Sequence, residues 1–240
     1  MISVIIPTLN EEKLLPRLLG QLTDDLRKRF RIEVIVSDGG SRDKTLKIAR
    51  QQKAKIVKKY DWEKQTIGSA RNKGAWQASG DILVFIDADG YIQNPWYFFS
   101  KIRDVFRDHN TVAATVKIEV MPQEQKPIDK LWSLFFNSLF YLENKVAMGG
   151  MGRGNCQIVR ADVFRLIGGY NEKLAAAEDY DLYHRLRQIG NIKFLWQVVV
   201  YESPRRFRKH GYLQVAWLWT LNSISVILTG RAWSKQWKRV

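Results

Sequence analysis

The chain has 240 residues, enough for one large domain or two small ones, and its 45% apolar content is that of an ordinary globular protein. Its 39 Lys and Arg against 24 Asp and Glu leave a formal charge of +15, a field that favours an anionic partner such as nucleic acid, acidic lipid or a phosphorylated substrate. The single cysteine, Cys156, excludes an internal disulfide and any cysteine-based zinc cluster. Residues 2–6 form a short apolar run ended by Pro7, a first strand; with no basic leader or cleavage site before it, no signal peptide is expected. Thr8-Leu9-Asn10-Glu11 then carries helix-capping residues and an acid. A helical pattern follows at Leu14, Leu15, Leu18, Leu19, Leu22 and Leu26, and Pro16 requires that helix to begin near Leu14 or to bend there.

Residues 32–37 read as a second strand, closed by Asp38-Gly39-Gly40-Ser41. Residues 43–53 suit a helix, 55–57 a short third strand, and 67–79 a helix with Arg71, Asn72 and Lys73 near its start. The run Ile82 to Ile86, bounded by Gly80-Asp81 and Gly90, reads as a strand buried on both faces that stops at Asp87-Ala88-Asp89. A helix over 95–108 and a strand over 111–120 come next.

Strands alternating with helices at this spacing predict an α/β fold, a parallel sheet with helices on both faces. Right-handed crossovers put the polar ends of three strands on one edge, where ligands of such sheets bind. Asp87-Ala88-Asp89 alone is as much a polar turn as a site. At a shared edge, though, two carboxylates one residue apart can hold a hard divalent cation together with a phosphate-bearing ligand. Asp38 can accept from a base edge, Gly39 and Gly40 allow close backbone approach, and Arg71 and Lys73 would meet phosphate charge. The prediction is a nucleotide pocket with a metal at its floor. No P-loop or Gly-x-Gly-x-x-Gly follows the first strand, so neither an ATPase nor a dinucleotide fold is suggested.

Four ordered motifs now resemble glycosyltransferase family 2: Val4-Ile5-Ile6-Pro7-Thr8-Leu9-Asn10-Glu11-Glu12, residues 38–45, residues 68–74, and Asp87-Ala88-Asp89. The resemblance covers roughly residues 1–200 and implies the GT-A fold, a Rossmann-like, mostly parallel central sheet flanked by helices. It implies a nucleotide-sugar donor, UDP-sugar favoured, bound by Pro7, Thr8, Asn10, Glu11, Asp38, Gly39, Arg71, Asp87 and Ala88. Asp38 would contact the base and Asp87 the ribose or metal. Asp89 would bind the Mn2+ or Mg2+ that bridges the donor diphosphate.

The second half holds the acceptor side. Residues 149–155 are a glycine-rich loop before a strand at 156–159; taken alone it is a connector, and the resemblance places it, through Gly152 and Asn155, beside the donor sugar. Residues 164–172 resemble the family's segment before its acid pair. Glu178-Asp179-Tyr180-Asp181 opens a helix running through Leu182, Leu186 and Ile189. Carboxylates in a first helical turn are ordinarily caps favoured by the helix dipole. The resemblance instead matches Asp179 to the family's general base, with Glu178 orienting or tuning it. Inversion needs one carboxylate to take the acceptor proton, while metal and basic side chains stabilise the leaving diphosphate. Asp181 points elsewhere on the helix and is the weaker candidate.

After a strand at 192–200, the run Ser203-Pro204-Arg205-Arg206-Phe207 departs from the family's usual Gln-x-x-Arg-Trp. Arg205 and Arg206 are therefore equally a diphosphate clamp or a basic surface loop. His210 is a lone histidine and more simply a surface residue than a metal ligand; His109 and His184 suggest nothing. Residues 131–142 and 212–228 are aromatic and apolar, and the tail at 231–239 mixes tryptophan with basic residues, a combination suited to a membrane interface or to packing on the domain or a homodimer contact. The expected organisation is a GT-A domain at 1–203, with a nucleotide half at 1–120 and an acceptor half at 121–203, followed by C-terminal amphipathic helices at 204–240. The expected function is inverting, metal-dependent transfer to an acceptor hydroxyl or phosphate, polyprenyl-linked or on another lipid, at the cytoplasmic face of a membrane. No nucleic-acid partner is expected, because such a role leaves the acidic strand ends unexplained. A nucleotidyltransferase would carry a Gly-rich basic loop after the first strand, which Thr8 to Glu12 lacks; a non-catalytic lipid- or sugar-binding relative would keep the fold without turnover.

Overall fold

The computed structural model describes residues 1–60, 65–146 and 149–234. Its strands are β1 (Ile2–Thr8), β2 (Ile32–Asp38), β3 (Lys55–Lys58), β4 (Ile82–Ile86), β5 (Tyr91–Ile92), β6 (Thr111–Val120), β7 (Cys156–Arg160) and β8 (Asn191–Glu202). Around them lie α1 (Leu15–Gln21), α2 (Asp24–Phe30), α3 (Thr45–Gln51), α4 (Ile67–Trp76), α5 (Pro95–Val105), α6 (Pro127–Val146), α7 (Ala161–Leu166), α8 (Glu178–Arg187), α9 (Arg205–His210) and α10 (Tyr212–Thr229).

All eight strands join one sheet in the order β3-β2-β1-β4-β7-β6-β8-β5. Alternate residues explain why β1, β2 and β4 are interior strands. Val4, Ile6, Val34, Val36, Val84 and Ile86 face a core completed by α1, α2 and α5. Ile5, Ile35, Leu83 and Phe85 face the opposite core, completed by Phe164, Leu182 and Leu186. A strand buried on both faces has no use for an alternating polar side, which is why these runs are apolar throughout.

The sheet is mixed rather than uniformly parallel. β1 pairs in parallel with β2 and β4, β2 with β3, and β6 with β8. β7 runs antiparallel between β4 and β6, and β5 antiparallel to β8. Several element limits also differ from expectation. Pro7 lies within β1, opposite Ser37; pairing with β4 has already stopped at Ile5, so the proline sits where the strand has a single neighbour. The leucine-rich stretch is two helices, because the Thr23 hydroxyl accepts from the Leu26 N–H and starts α2 with Asp24 and Asp25 in its first turn. The helix expected over 67–79 stops at Trp76. Residues 131–142 and 212–228 fall inside α6 and α10, and no helix among the described residues is long and apolar enough to cross a membrane. The tail from Lys235 onward lies outside the described residues.

Candidate active site

The loops that leave β1 and β2 are laced into one frame. The Thr8 carbonyl accepts from the Gly39 N–H at 2.8 Å, the Asn10 N–H donates to Ser41 Oγ, and Asn10 Oδ1 accepts from the Arg42 N–H. The Glu11 N–H donates to Thr45 Oγ1, the Glu12 N–H to Asp43, and the Lys44 N–H back to Glu12. Asn10 takes a left-handed backbone, φ 51°, to make this approach. Pro7, Thr8, Asn10, Glu11, Asp38 and Gly39 thus stand together on the edge at the ends of β1 and β2. Asp38 is 1% exposed, and its oxygens accept from the N–H groups of Gly40 and Ser41 and from the hydroxyls of Ser41 and Thr8. Here its carboxylate organises the turn. Ser41, Asp43 and Thr45, which the sequence reading did not single out, supply the lacing; closely spaced Asp, Ser and Thr are the signal for such turns.

The next strand end carries the acidic pair. The Asp87 N–H donates to the Asn155 carbonyl, and the Gly90 N–H closes the turn on the Asp87 carbonyl. Ala88 is buried, whereas the side chains of Asp87 and Asp89 remain 31% and 21% exposed. Burial and the neighbouring Asp87 charge push the Asp89 carboxyl up, against the opposing pull of Arg205, whose Nη2 lies 3.2 Å from Asp89 Oδ2. Among the described residues no group of three or more His, Cys, Asp or Glu is placed to hold a metal ion. Two repelling carboxylates with hard oxygen donors do suit a dication that completes its shell with water and phosphate oxygens. His210, at the end of α9, has no place in such a set.

Arg71 departs most from expectation. Expected to meet phosphate charge, it is 1% exposed and joins three parts of the chain. Its Nη1 donates to Glu178 Oε1 at 2.8 Å; its Nη2 donates to Asp87 Oδ1 at 2.9 Å and to the Gly154 carbonyl at 2.7 Å. The guanidinium also lies 5.5 Å from the centre of the Tyr170 ring. Burial opposes its charge, but Asp87, Tyr170 and Glu178 prevail and hold it protonated. Lys73 rests against the ring of Tyr60 at 4.5 Å.

Through Arg71 the start of α8 is pinned to the end of β4. Ala177, before the acid pair, has φ 58°, an uncommon conformation for a residue with a Cβ. Burial and then the charge of Asp179 push the Glu178 carboxyl above the ordinary carboxylate range. Asp179 is also raised, by burial, with Arg71 and the N–H groups of Tyr180 and Gly154 opposing. A Cβ on Gly154 would lie 3.2 Å from Asp179 Oδ2, so a glycine there leaves the acid room. Asp181 is turned away and paired with Arg185 at 2.7 Å.

The rest of the predicted loop divides. Asn155 meets Asp87 through its carbonyl, while Gly152 lies on the Tyr183 ring, where an added Cβ would come within 2.3 Å. The Tyr183 hydroxyl donates to the Ala114 carbonyl and accepts from the Ile158 N–H, so Gly152 here serves packing. Arg205 faces Asp89, and half-buried Arg206 has its charge disfavoured by burial but supported by Asp87, Asp89 and Glu202. The sequence reading missed the buried Arg153–Glu202 pair at 2.7 Å, beside the Trp219 ring, and named Asn72 without its role, which is to tie Tyr170 and Glu172 to α4.

Validoxylamine A glucosyltransferase of Streptomyces hygroscopicus subsp. limoneus is 38% identical over 100 residues, 40% of this chain and 22% of that protein. Across the first curated relatives, the matched stretch spans only 22% to 25% of their length. Mannosyltransferase PcManGT from Pyrobaculum calidifontis, solved with GDP-Man and Mn2+, superposes with a TM-score of 0.72 at 21% identity over 96% of this chain and 65% of that one. Staphylococcus aureus TarS 1-349, solved with UDP-GlcNAc, gives 0.66 at 23% identity over 84% and 58%. These two likenesses show the fold, GT-A, as the mixed sheet with flanking helices requires. The model of glycosyl transferase family 2 matches residues 3–165, more than half of the chain, and the protein belongs to that family.

Proposed function

We propose that the chain is an inverting, metal-dependent glycosyltransferase that moves a sugar from a nucleoside diphosphate sugar, UDP-sugar favoured, to a hydroxyl or phosphate of a lipid-linked acceptor at a membrane surface on the cytoplasmic side. One observation carries the reading: a single guanidinium, Arg71, holds Asp87, Glu178 and the Gly154 carbonyl together, so the acid pair of α8 stands beside the carboxylates at the end of β4. The laced loops of β1 and β2 would receive the nucleoside, with Asp38 keeping the turn in shape for the base. Asp87 and Asp89 would hold Mn2+ or Mg2+, which when bound neutralises the departing diphosphate. Asp179 takes the proton of the attacking acceptor oxygen, and Glu178, fixed by Arg71, positions Asp179. Arg205 and Arg206, on α9 beside the same carboxylates, add positive charge where the diphosphate leaves. The metals and donors of the structural relatives, and the family to which the chain belongs, support this assignment. Residues 1–120 would form the nucleotide half, 121–203 the acceptor half, and residues from 204 onward the membrane-facing part.

The test is nucleotide binding by calorimetry across UDP-, GDP- and dTDP-sugars with Mn2+, with Mg2+ and with EDTA. Binding of one nucleotide that needs the metal and disappears in Asp89→Ala is the expected result. Binding of none under any condition, by protein that melts cooperatively, would overturn the reading.

A further inference from the structure

Helix α6 is built inside out. Its buried residues are all polar: Asp129, Ser133, Asn137 and Asn144 are 0% to 5% exposed. On its opposite side Leu131, Leu134, Phe135 and Leu142 are 54% to 65% exposed. A surface helix ordinarily shows the reverse. Three of these polar groups are held by hydrogen bonds, so the inversion is a built feature. Asn137 exchanges two hydrogen bonds with the Ile118 backbone, Asn144 does the same with Met151, and Asp129 accepts from Arg208 and Tyr212.

Helix α10 continues this outer layer. Its 18 residues include no charged side chain, and Leu213, Trp217, Ile227 and Leu228 are 59% to 84% exposed. Ring contacts of Trp132 with Tyr212 at 5.2 Å and of Phe136 with Trp219 at 5.6 Å join the two helices. The rim of the layer is cationic, with exposed Lys126, Lys130 and Lys145 around α6 and exposed Lys209 and Arg231 at the two ends of α10.

We propose that the outer face of α6 and α10 is a docking surface for an anionic lipid bilayer, lying in the plane of the interface. The leucines, Phe135 and Trp217 would enter the acyl boundary while the lysines and Arg231 meet the headgroups. Charge complementarity selects this occupant. A second copy would bring a cationic rim against a cationic rim on a chain of net +15, whereas acidic headgroups pair with it. At 1.5 Å per residue, helices of about this length can lie along the interface but, as no helix of the described residues suits a span, not cross it. The proposal rests on the membrane setting given for the transferase, yet docking needs no donor, so either can fail while the other stands.

The experiment is flotation of the full chain with phosphatidylcholine vesicles, with and without phosphatidylglycerol, alongside sedimentation velocity without lipid. The expected result is co-flotation with the acidic vesicles only, weakened on the order of tenfold by Leu134→Ser with Trp217→Ser. Both positions are 55% or more exposed, so the double variant should keep the melting temperature and lipid-free donor binding of the parent. Absence of flotation with acidic vesicles, or equal flotation of parent and variant, would overturn the proposal. So would a stable lipid-free dimer that the variant converts to monomer, which assigns the face to a second copy.

Discussion

At the scale of single residues, Arg71 and the α8 acids decide how the site behaves. Arg71 is closed in with two carboxylates and cannot be exchanged for an apolar residue without leaving Glu178 and Asp87 uncompensated. Arg71→Met should cost about 3–5 kcal/mol in denaturant unfolding, as expected for breaking a buried ion pair by removing one partner. Asp179→Asn should lower turnover about 10²–10⁴-fold while metal-dependent nucleotide binding persists, since it removes the proposed general base and leaves the β4 carboxylates untouched. The pH dependence follows from the direction of the shifts. The proposed base, Asp179, would act as the anion, and burial raises both it and Glu178, so activity should fall on acidification at a pH above the ordinary carboxylate range. The two titrate as a pair, so Glu178→Gln, which removes the neighbouring negative charge, should move the acidic limb of kcat/KM to lower pH. A limb that stays in place would remove Glu178 from its tuning role.

At the scale of elements, the short helix α9 links the site to the outer layer. Arg205 at its start reaches Asp89, and Arg208 one turn later reaches Asp129 on α6. The departure from the family's Gln-x-x-Arg-Trp therefore has a structural counterpart, a basic segment bridging the acidic strand end and the inverted helix. The inversion of α6 depends on Asn137, whose amide serves both the N–H and the carbonyl of Ile118. Asn137→Ala leaves two buried backbone groups unsatisfied and should lower stability by about 1–3 kcal/mol, measured by denaturant unfolding, while an exposed change such as Leu131→Ser on the same helix should be nearly neutral.

At the scale of the whole molecule, one sheet gathers the loops that leave β1, β2 and β4 with the segment around Gly154 and the start of α8. Arg71 and Glu178, 107 residues apart, meet where β7, inserted between β4 and β6, also brings the Gly154 carbonyl to Arg71. A donor that bridges the β1, β2 and β4 ends should stabilise the entire fold by mass action. Nucleotide plus Mn2+ at about 100 times the dissociation constant should add about 2.7 kcal/mol to unfolding, seen as a raised melting temperature that EDTA reverses. A fold that loses stability in EDTA without nucleotide would instead mark a structural metal.

The sequence by itself determined the α/β class, the central strands and the family. Runs such as Ile82 to Ile86 are apolar on both faces and end in short polar motifs, and both properties are local. Cys156 to Val159 was legible as a strand, but not its antiparallel direction, since periodicity reports which faces are buried and not how partners pair. The break between α1 and α2 was written in Thr23-Asp24-Asp25, yet leucines at helical spacing ran across it and masked it. Only the tertiary structure decided that Arg71 is enclosed by carboxylates and that α6 turns its asparagines inward. Each of these depends on partners distant in sequence, and the free energy of a buried polar group is set by the partner it meets.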